Sequence, residues 1–333
     1  MKTKKKFQDK YITYLILVVM FTAALVMVKT GTASRKFQSW LVPICVNIIL
    51  AVSLNLTIGF LGELTLGHAG FMSVGAYAGC LFSQVMVDVL PTAVRFPLAM
   101  LAGGLTAAVF GVLIGIPVLR LKGDYLAIVT LAFGEIIRSV IINLGFTGGA
   151  AGLKGTPQDS NFYIAFAVVM ITVILITNLT ESGQGRSIKA IRDNRIAAEA
   201  CGINVTYYRL LAFVFAAFFA GVAGVIYGHN LSILNAGTFD YNRSIEILVL
   251  VVLGGLGSIR GSVISATILY VLPELLRPLA DYRMIMYSVV LIVIMIVNSA
   301  EQFSSVRELL NVKNAFKLLR GKKNKDEEVP ADE

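Results

Sequence analysis

The chain has 333 residues, 56% of them hydrophobic and only 15% charged, with a formal net charge of +9 and a mean hydropathy of +0.77. A soluble protein of this length is far less apolar, so the composition marks a polytopic membrane protein. The basic excess does not point to nucleic acid, since the lysines and arginines lie in loops and tails without an aromatic stacking platform, and three widely spaced cysteines set up neither a disulfide framework nor a metal cluster.

Residues 1–10 contain five lysines and read as a basic cytosolic N-terminus ahead of an apolar run at 11–28. A signal peptide has the same order of parts, but its apolar region is normally shorter, which favours an uncleaved first span. Further apolar runs lie at 40–61, 69–89, 98–119, 125–144, 162–179, 210–228, 244–253, 262–276 and 284–298, bringing the expected total to ten. Three of these fall short of the roughly 20 residues a helix needs to cross about 30 Å, so some are broken or re-entrant. The total drops to eight if the short segments dip in and return. The expected fold is therefore all-α and polytopic, with about ten transmembrane helices in one domain at 11–298. The polar tail at 299–333 carries Lys322, Lys323 and Lys325 before an acidic end, the pattern of a membrane-surface segment followed by disorder.

Basic residues set the orientation. The N-terminal tail, the loops near 120–124, 180–209 and 254–261, and the C-terminal tail hold 20 of them, against 8 on the other side. This asymmetry places both termini and the 180–209 loop in the cytosol. Small residues at four-residue spacing (Gly103, Ala107, Gly111, Gly115, and again Ala220, Gly224, Gly228) predict close helix packing.

Two glycine-rich stretches cut apolar runs: GFLGELTLGHAG at 59–70 and GGLGSIRG at 254–261. Irregular backbone at membrane depth must be satisfied by protein or by a wet cavity, so both are candidates for a translocation pathway or gate; tight aqueous turns are the alternative. The candidate residues are Gly62, Glu63, Thr65, Gly67 and His68 in the first and Gly254, Gly255 and Gly257 in the second. The second lacks the Gly-Lys-Ser/Thr ending of a phosphate-binding loop. Asn47, Ser53 and Asn55 read as helix-to-helix hydrogen-bond donors or acceptors. Glu135 and Arg138 lie three apart at membrane depth, where a lone charge is costly, so they form an ion pair that either locks helices or bounds the pathway. With His68 and His229 the only histidines, no catalytic centre, metal or cofactor is expected.

The one internal segment dense in charge is QGRSIKAIRDNRIAAEACGIN at 184–204. It reads as a cytosolic helix of about 14 residues, capped by Ser187 and stopped by Gly202. One face carries Ile188, Ile191, Arg195 and Ala198; another carries Lys189, Arg192, Ile196 and Glu199, with Asp193 and Ala200 alongside. Its length and mixed charge suit a protein groove, a solvated connector being the plain alternative.

These residues carry a resemblance. Together with GELTLGHAGFMSVGAYAG from Gly62, RLKGDYLAIVTLAFGEIIR from Arg120, AAEACGIN from Ala197 and LVVLGGLGSIRGSVISA from Leu250, the sequence resembles the permease subunits of branched-chain amino-acid ATP-binding-cassette (ABC) importers over roughly residues 40–298. Such permeases carry an "EAA" loop, a cytosolic helix followed by glycine that inserts into the ATPase. Glu199, Ala200 and Gly202 match it, while Cys201 stands where the motif has its second alanine. The resemblance implies a coupling role for the 180–209 loop, ATP hydrolysis on two separate ABC ATPase subunits, a second related permease, an extracytoplasmic solute-binding protein and a bacterial inner-membrane location. Urea, amides or sugars are the alternative cargo. From another class, a stand-alone channel or secondary transporter would show coupled ionisable residues through the membrane and no docking helix.

Overall fold

A computed structural model describes residues 35–275 except 122, with 17–22 and 25–26 before them and residues 288, 289 and 292 after. The predicted N-terminal segment at 1–10, most of the first and last predicted spans, and the tail at 299–333 lie outside the described residues. The chain divides into two compact units, Met1–Val271 and Leu272–Glu333, and the helix bundle is built within the first.

Hydrophobic sequence without water leaves the backbone only its own groups as partners, so the described residues are helical nearly throughout. The most deeply buried rod is α1 (Arg35–Asn55), which runs on as a π-helical turn, Leu56–Leu61. Lys36–Leu61 amounts to 26 residues, or about 39 Å at 1.5 Å per residue, more than enough to cross a bilayer. Then come α2 (His68–Val85), α3 (Thr92–Val118), α4 (Asp124–Asn143) and α5 (Phe162–Glu181). Two polar helices, α6 (Gly183–Asp193) and α7 (Arg195–Ala200), lead into α8 (Val205–Gly228). Last are α9 (Tyr241–Gly254) and α10 (Ile259–Leu275). The strands are a two-residue antiparallel ribbon, β1 (Leu153–Lys154) against β2 (Ile233–Leu234). The protein is thus an all-α polytopic membrane protein, and five of the described helices, α1, α3, α4, α5 and α8, are long and apolar enough to span a membrane.

Helix α8 lies at the centre, packed by α1, α2 and α3. The predicted small-residue stripes make this possible. A Cβ on Gly103, Gly111 or Gly115 of α3 would strike Val225, Ala217 or Leu210 of α8. On the other side of α8, a Cβ on Gly224 would collide with the Met72 carbonyl of α2, and one on Gly75 with the Gly221 backbone. Helices in an apolar solvent gain nothing from burying grease, so backbone-to-backbone approach supplies the attraction instead.

The end of the bundle bearing the ribbon is braced by polar contacts. His229 is fully buried, its Nδ1 2.9 Å from the Val225 carbonyl and its Nε2 2.8 Å from Ser83 Oγ, which puts the ring proton on Nδ1. Arg95 pairs with Asp159 at 2.7 Å with both side chains nearly buried, and the Tyr77 hydroxyl donates to the Leu234 carbonyl at 3.0 Å.

Because backbone cannot yield as a side-chain tip can, Gly75→Val is expected to cost more than the ~1–3 kcal/mol of ordinary overpacking. Gly145→Ala, with open space around the new methyl, is expected to be silent. Thermal unfolding of the two purified variants in detergent checks this; equal melting temperatures would refute the backbone-contact account.

Candidate coupling and translocation site

At the other end of the bundle, sequence and structure converge on the π-helical turn of α1. A π turn inserts one extra residue per turn and weakens the regular ladder, and it occurs most often at functional positions. Here it ends at Gly62, whose φ of +81° is left-handed and whose N–H donates to the Thr57 carbonyl. The final carbonyls of any helix lack intrahelical donors. In α1 one of them, Gly59 O, receives the Arg192 Nη1–H of α6 at 2.7 Å. Lys189, one turn earlier on α6, donates to Thr180 O near the end of α5 at 2.7 Å and lies 5.2 Å from the Phe60 ring centre. Two cations of one polar helix thus meet the negative carboxyl ends of two apolar ones, a favourable pairing of charge with helix dipole.

The polar segment itself differs from the sequence expectation. It is two helices, because Asn194 adopts an extended conformation (φ −158°, ψ 106°) and its side chain accepts the Ala197 N–H, so it caps α7 afresh. The cap of α6 is Ser182, whose hydroxyl accepts the Gly185 N–H; Ser187 lies inside the helix and donates to Gly183 O. Gly202 does stop α7: φ is +81°, and Gly202 and Ile203 N–H groups return to the Glu199 and Ala198 carbonyls, the paired bonds of a Schellman end.

Ile188, Ile191 and Ala198 are buried, in one cluster with Leu56, Phe60, Leu61, Val205 and Ala212. They anchor the segment to the bundle and present no surface to a partner. What faces outward is Ile196, 80% exposed, with Arg195 and Glu199 (paired at 3.2 Å), Asp193, Ala200 and Gly202 around it.

The two glycine-rich stretches meet at the same place. Asn55 Oδ1 accepts the Gly257 N–H at 2.9 Å, and Asn55 Nδ2 donates to Ser262 Oγ at 2.9 Å; the backbone donor fixes which way the amide points. Gly255 and Gly257 have φ of +91° and +78°, and a Cβ on Gly261 would overlap the Gly254 carbonyl, so α9 and α10 cross with their backbones touching. Within the first stretch, Glu63 pairs with Arg209 of α8. Glu63 lies in the loop beyond the end of α1, and burial raises its carboxyl above the usual range while the Arg209 charge opposes that shift. Thr65 and Gly67 are buried, and the Leu66 N–H donates to Thr130 Oγ1 of α4. His68, the first residue of α2, is buried with Nε2 2.9 Å from Ser53 Oγ. The Ser53 hydroxyl already donates to Leu50 O, so the ring donates to Ser53.

Comparison with known proteins fits this geometry. The family described as "Branched-chain amino acid transport system / permease component" matches residues 36–298. The high-affinity branched-chain amino acid transport system permease protein LivM of Escherichia coli K12 is 31% identical, over 90% of this chain and 76% of its own length. The chain belongs to this permease family. More distant similarity, 24% identity over 56% of this chain and 57% of the relative, joins the permease to a probable branched-chain amino acid transport permease LivM of Methanocaldococcus jannaschii. The ribose import permease protein RbsC of Haemophilus influenzae is 26% identical over 74% of the permease and 80% of its own length.

Two further sequence-predicted residues stand apart from the junction. Glu135 and Arg138 pair within α4 at 2.7 Å, each about 30% exposed, so the pair joins no second helix. Sequence reasoning did not connect Arg192 with Gly59 or Arg209 with Glu63. The second pair had a signal: opposite charges at the ends of apolar runs need partners.

Removing one member of a buried pair strands the other. Arg209→Met is expected to cost about 3–5 kcal/mol, and adding Glu63→Leu should recover most of it. A double-mutant cycle on detergent melting curves measures this, and additive losses would show that the two side chains act independently.

Proposed function

We propose that this permease is the membrane subunit of an ATP-driven ABC importer that carries branched-chain amino acids across the bacterial cytoplasmic membrane. The family membership and the LivM relatives support the cargo class. The observation that carries the mechanism is a polar helix pair fastened to the bundle by Ile188, Ile191 and Ala198, with Ile196 left as an exposed apolar knob. An apolar anchor rimmed by polar groups is the arrangement with which interface residues fill a partner's pocket.

In this reading α6 and α7 face the cytosol, in keeping with the basic-residue asymmetry, and α7 enters a groove of one of two ABC ATPase subunits, where hydrolysis takes place. A second, related permease completes the membrane portion, an extracytoplasmic solute-binding protein delivers substrate, and membrane lipid surrounds the pair. Both termini of the chain are cytosolic. When the ATPases close, α7 moves with its groove, and Arg192 pulls on Gly59 while Asn55 carries the displacement to Gly257. The glycine-rich stretches then serve as the gate's hinges: Gly62, Glu63, Thr65, Gly67 and His68 on one side, Gly254, Gly255 and Gly257 on the other. Alternating access follows as a shift between two arrangements of this junction. The similarity to RbsC favours a sugar as the second reading of the cargo.

Affinity purification of the tagged permease from membranes in mild detergent, with mass spectrometry, is expected to recover an ABC ATPase and a second permease. Ile196→Asp should abolish recovery of the ATPase while leaving the melting temperature unchanged, whereas Ile188→Asp should unfold the segment. Full ATPase recovery with Ile196→Asp would remove α7 from the interface, and active uptake by the permease alone would replace the importer with a channel or secondary transporter.

A further inference from the structure

Glu135 and Arg138 lie eleven and fourteen residues into α4, about 16 and 21 Å along a helix of about 30 Å. Each is nevertheless about 30% exposed. Charges at that depth are too costly to leave against acyl chains, so this flank of α4 faces water or protein. The helix is split accordingly. Ala127 and Thr130 are buried, with Gly134 set against Gly70 of α2, while Phe133, Ile136, Ile137 and Val140 line an apolar groove shared with Phe110 and Leu113 of α3. At 100° per residue, Glu135 and Arg138 fall on the flank away from that groove. Helix α9 packs against α4, α2 and α1.

Helix α9 brings a second pair to the same level. Arg243 and Glu246 are 2.9 Å apart, 22% and 61% exposed, and Arg243 is aimed by its 2.6 Å bond to Asn47 in the middle of α1. The first turn of α2 fixes the register: Gly70 touches Gly134, next to Glu135, and the Ala69 N–H donates to Ser244, next to Arg243. Two partly exposed acid–base pairs therefore flank one turn of a helix that begins at membrane depth. In α4 both Arg138 contacts fall on Glu135 Oε2, so Oε1 is open to a donor among the described residues.

We infer that this face is a transit site for a zwitterionic α-amino acid, its ammonium taken by Glu135 and its carboxylate by Arg138, with the Arg243–Glu246 pair as the next contact on the path. The inference rests on the importer reading and refines it. A net-neutral surface carrying both signs matches a net-neutral ligand carrying both signs; a sugar offers neither charge, and a pair facing lipid would be unsupported.

The test uses the complete complex in proteoliposomes, with radiolabelled leucine as the probe and a binding-protein-stimulated ATPase assay alongside. Glu135→Gln/Arg138→Gln is expected to lower uptake at least ten-fold with assembly and stimulated ATP hydrolysis retained. The reversed pair, Glu135→Arg/Arg138→Glu, keeps the salt bridge within the helix and is expected to fail as well. Glu246→Gln, at a more exposed position, should raise the KM for leucine and guards against a folding defect in α4. Wild-type uptake by the neutralised pair overturns the inference, as does recovery of uptake in the reversed pair, which would make the bridge a helix brace. A wild-type complex that drives no leucine uptake would sink the importer reading itself, and the transit site with it.

Discussion

The bond from Arg192 to the Gly59 carbonyl is the constraint from which the rest of this architecture follows. Helices α1, α3 and α5 all bring their carboxyl ends to one side of the bundle, and each such end carries carbonyls without donors and a partial negative charge. Cations on the polar segment and on the start of α8 meet them: Arg192 at α1, Lys189 at α5, and Arg209, beside Glu63, within 3.5 Å of the Leu121 carbonyl just past α3. Lys189, Arg192 and Arg209, three of the basic residues counted on the expected cytosolic side, are thus also the ones that complete helix ends.

That arrangement explains how a short polar helix can be both firmly held and mechanically connected. Ile188 and Ile191 alone would hold α6 to the bundle through an isotropic apolar contact, able to slide. The directional bonds add a fixed register, since Gly59 O and Asn55 lie one turn apart on α1 and Asn55 holds the Gly257 N–H of the α9–α10 turn. Hydrogen bonds therefore link α6 to the π turn through Arg192, and the π turn to the junction of α9 and α10 through Asn55. At the far end, the buried His229–Ser83 and Arg95–Asp159 contacts and the glycine-mediated packing of α8 leave little freedom. Both ends of the bundle are thus held by directional polar contacts as well as by close glycine packing.

Much of this was legible in the sequence. For the eight runs among the described residues, hydropathy gave the helix ends to within six residues, because a bilayer punishes any other backbone, and the four-residue glycine spacing identified α3 and α8 as close-packed. Less legible was the break at Asn194. A residue that can cap a helix from within a helical pattern competes with the ladder through its own side chain, and periodicity alone counts Asn194 as one more polar position. The Ser187 cap failed for the same reason: Ser182 lies five residues earlier, at the edge of the apolar run, where the chain first turns. Burial of Ile188 and Ile191 against the π turn depends on tertiary contacts with residues far away in the chain, and no local pattern records those.

The glycine-rich stretches show where reading from sequence needs the third dimension most. Their polar residues suggested groups lining a pathway or gate; Glu63 is paired with Arg209 and His68 with Ser53. Charges paired across helices suit hinges; charges paired with a neighbour in their own helix, and still partly exposed, are better able to exchange partners with a passing ligand. The Glu135–Arg138 pair of α4 meets that criterion, and on α9 Glu246 does, while Arg243 is also held by Asn47 of α1. In the proposed cycle the two roles occupy different depths: the junction near the carboxyl end of α1 would receive the mechanical input, and the charged flanks beside the first turn of α2, several residues further into the bilayer, would be what that input opens or closes.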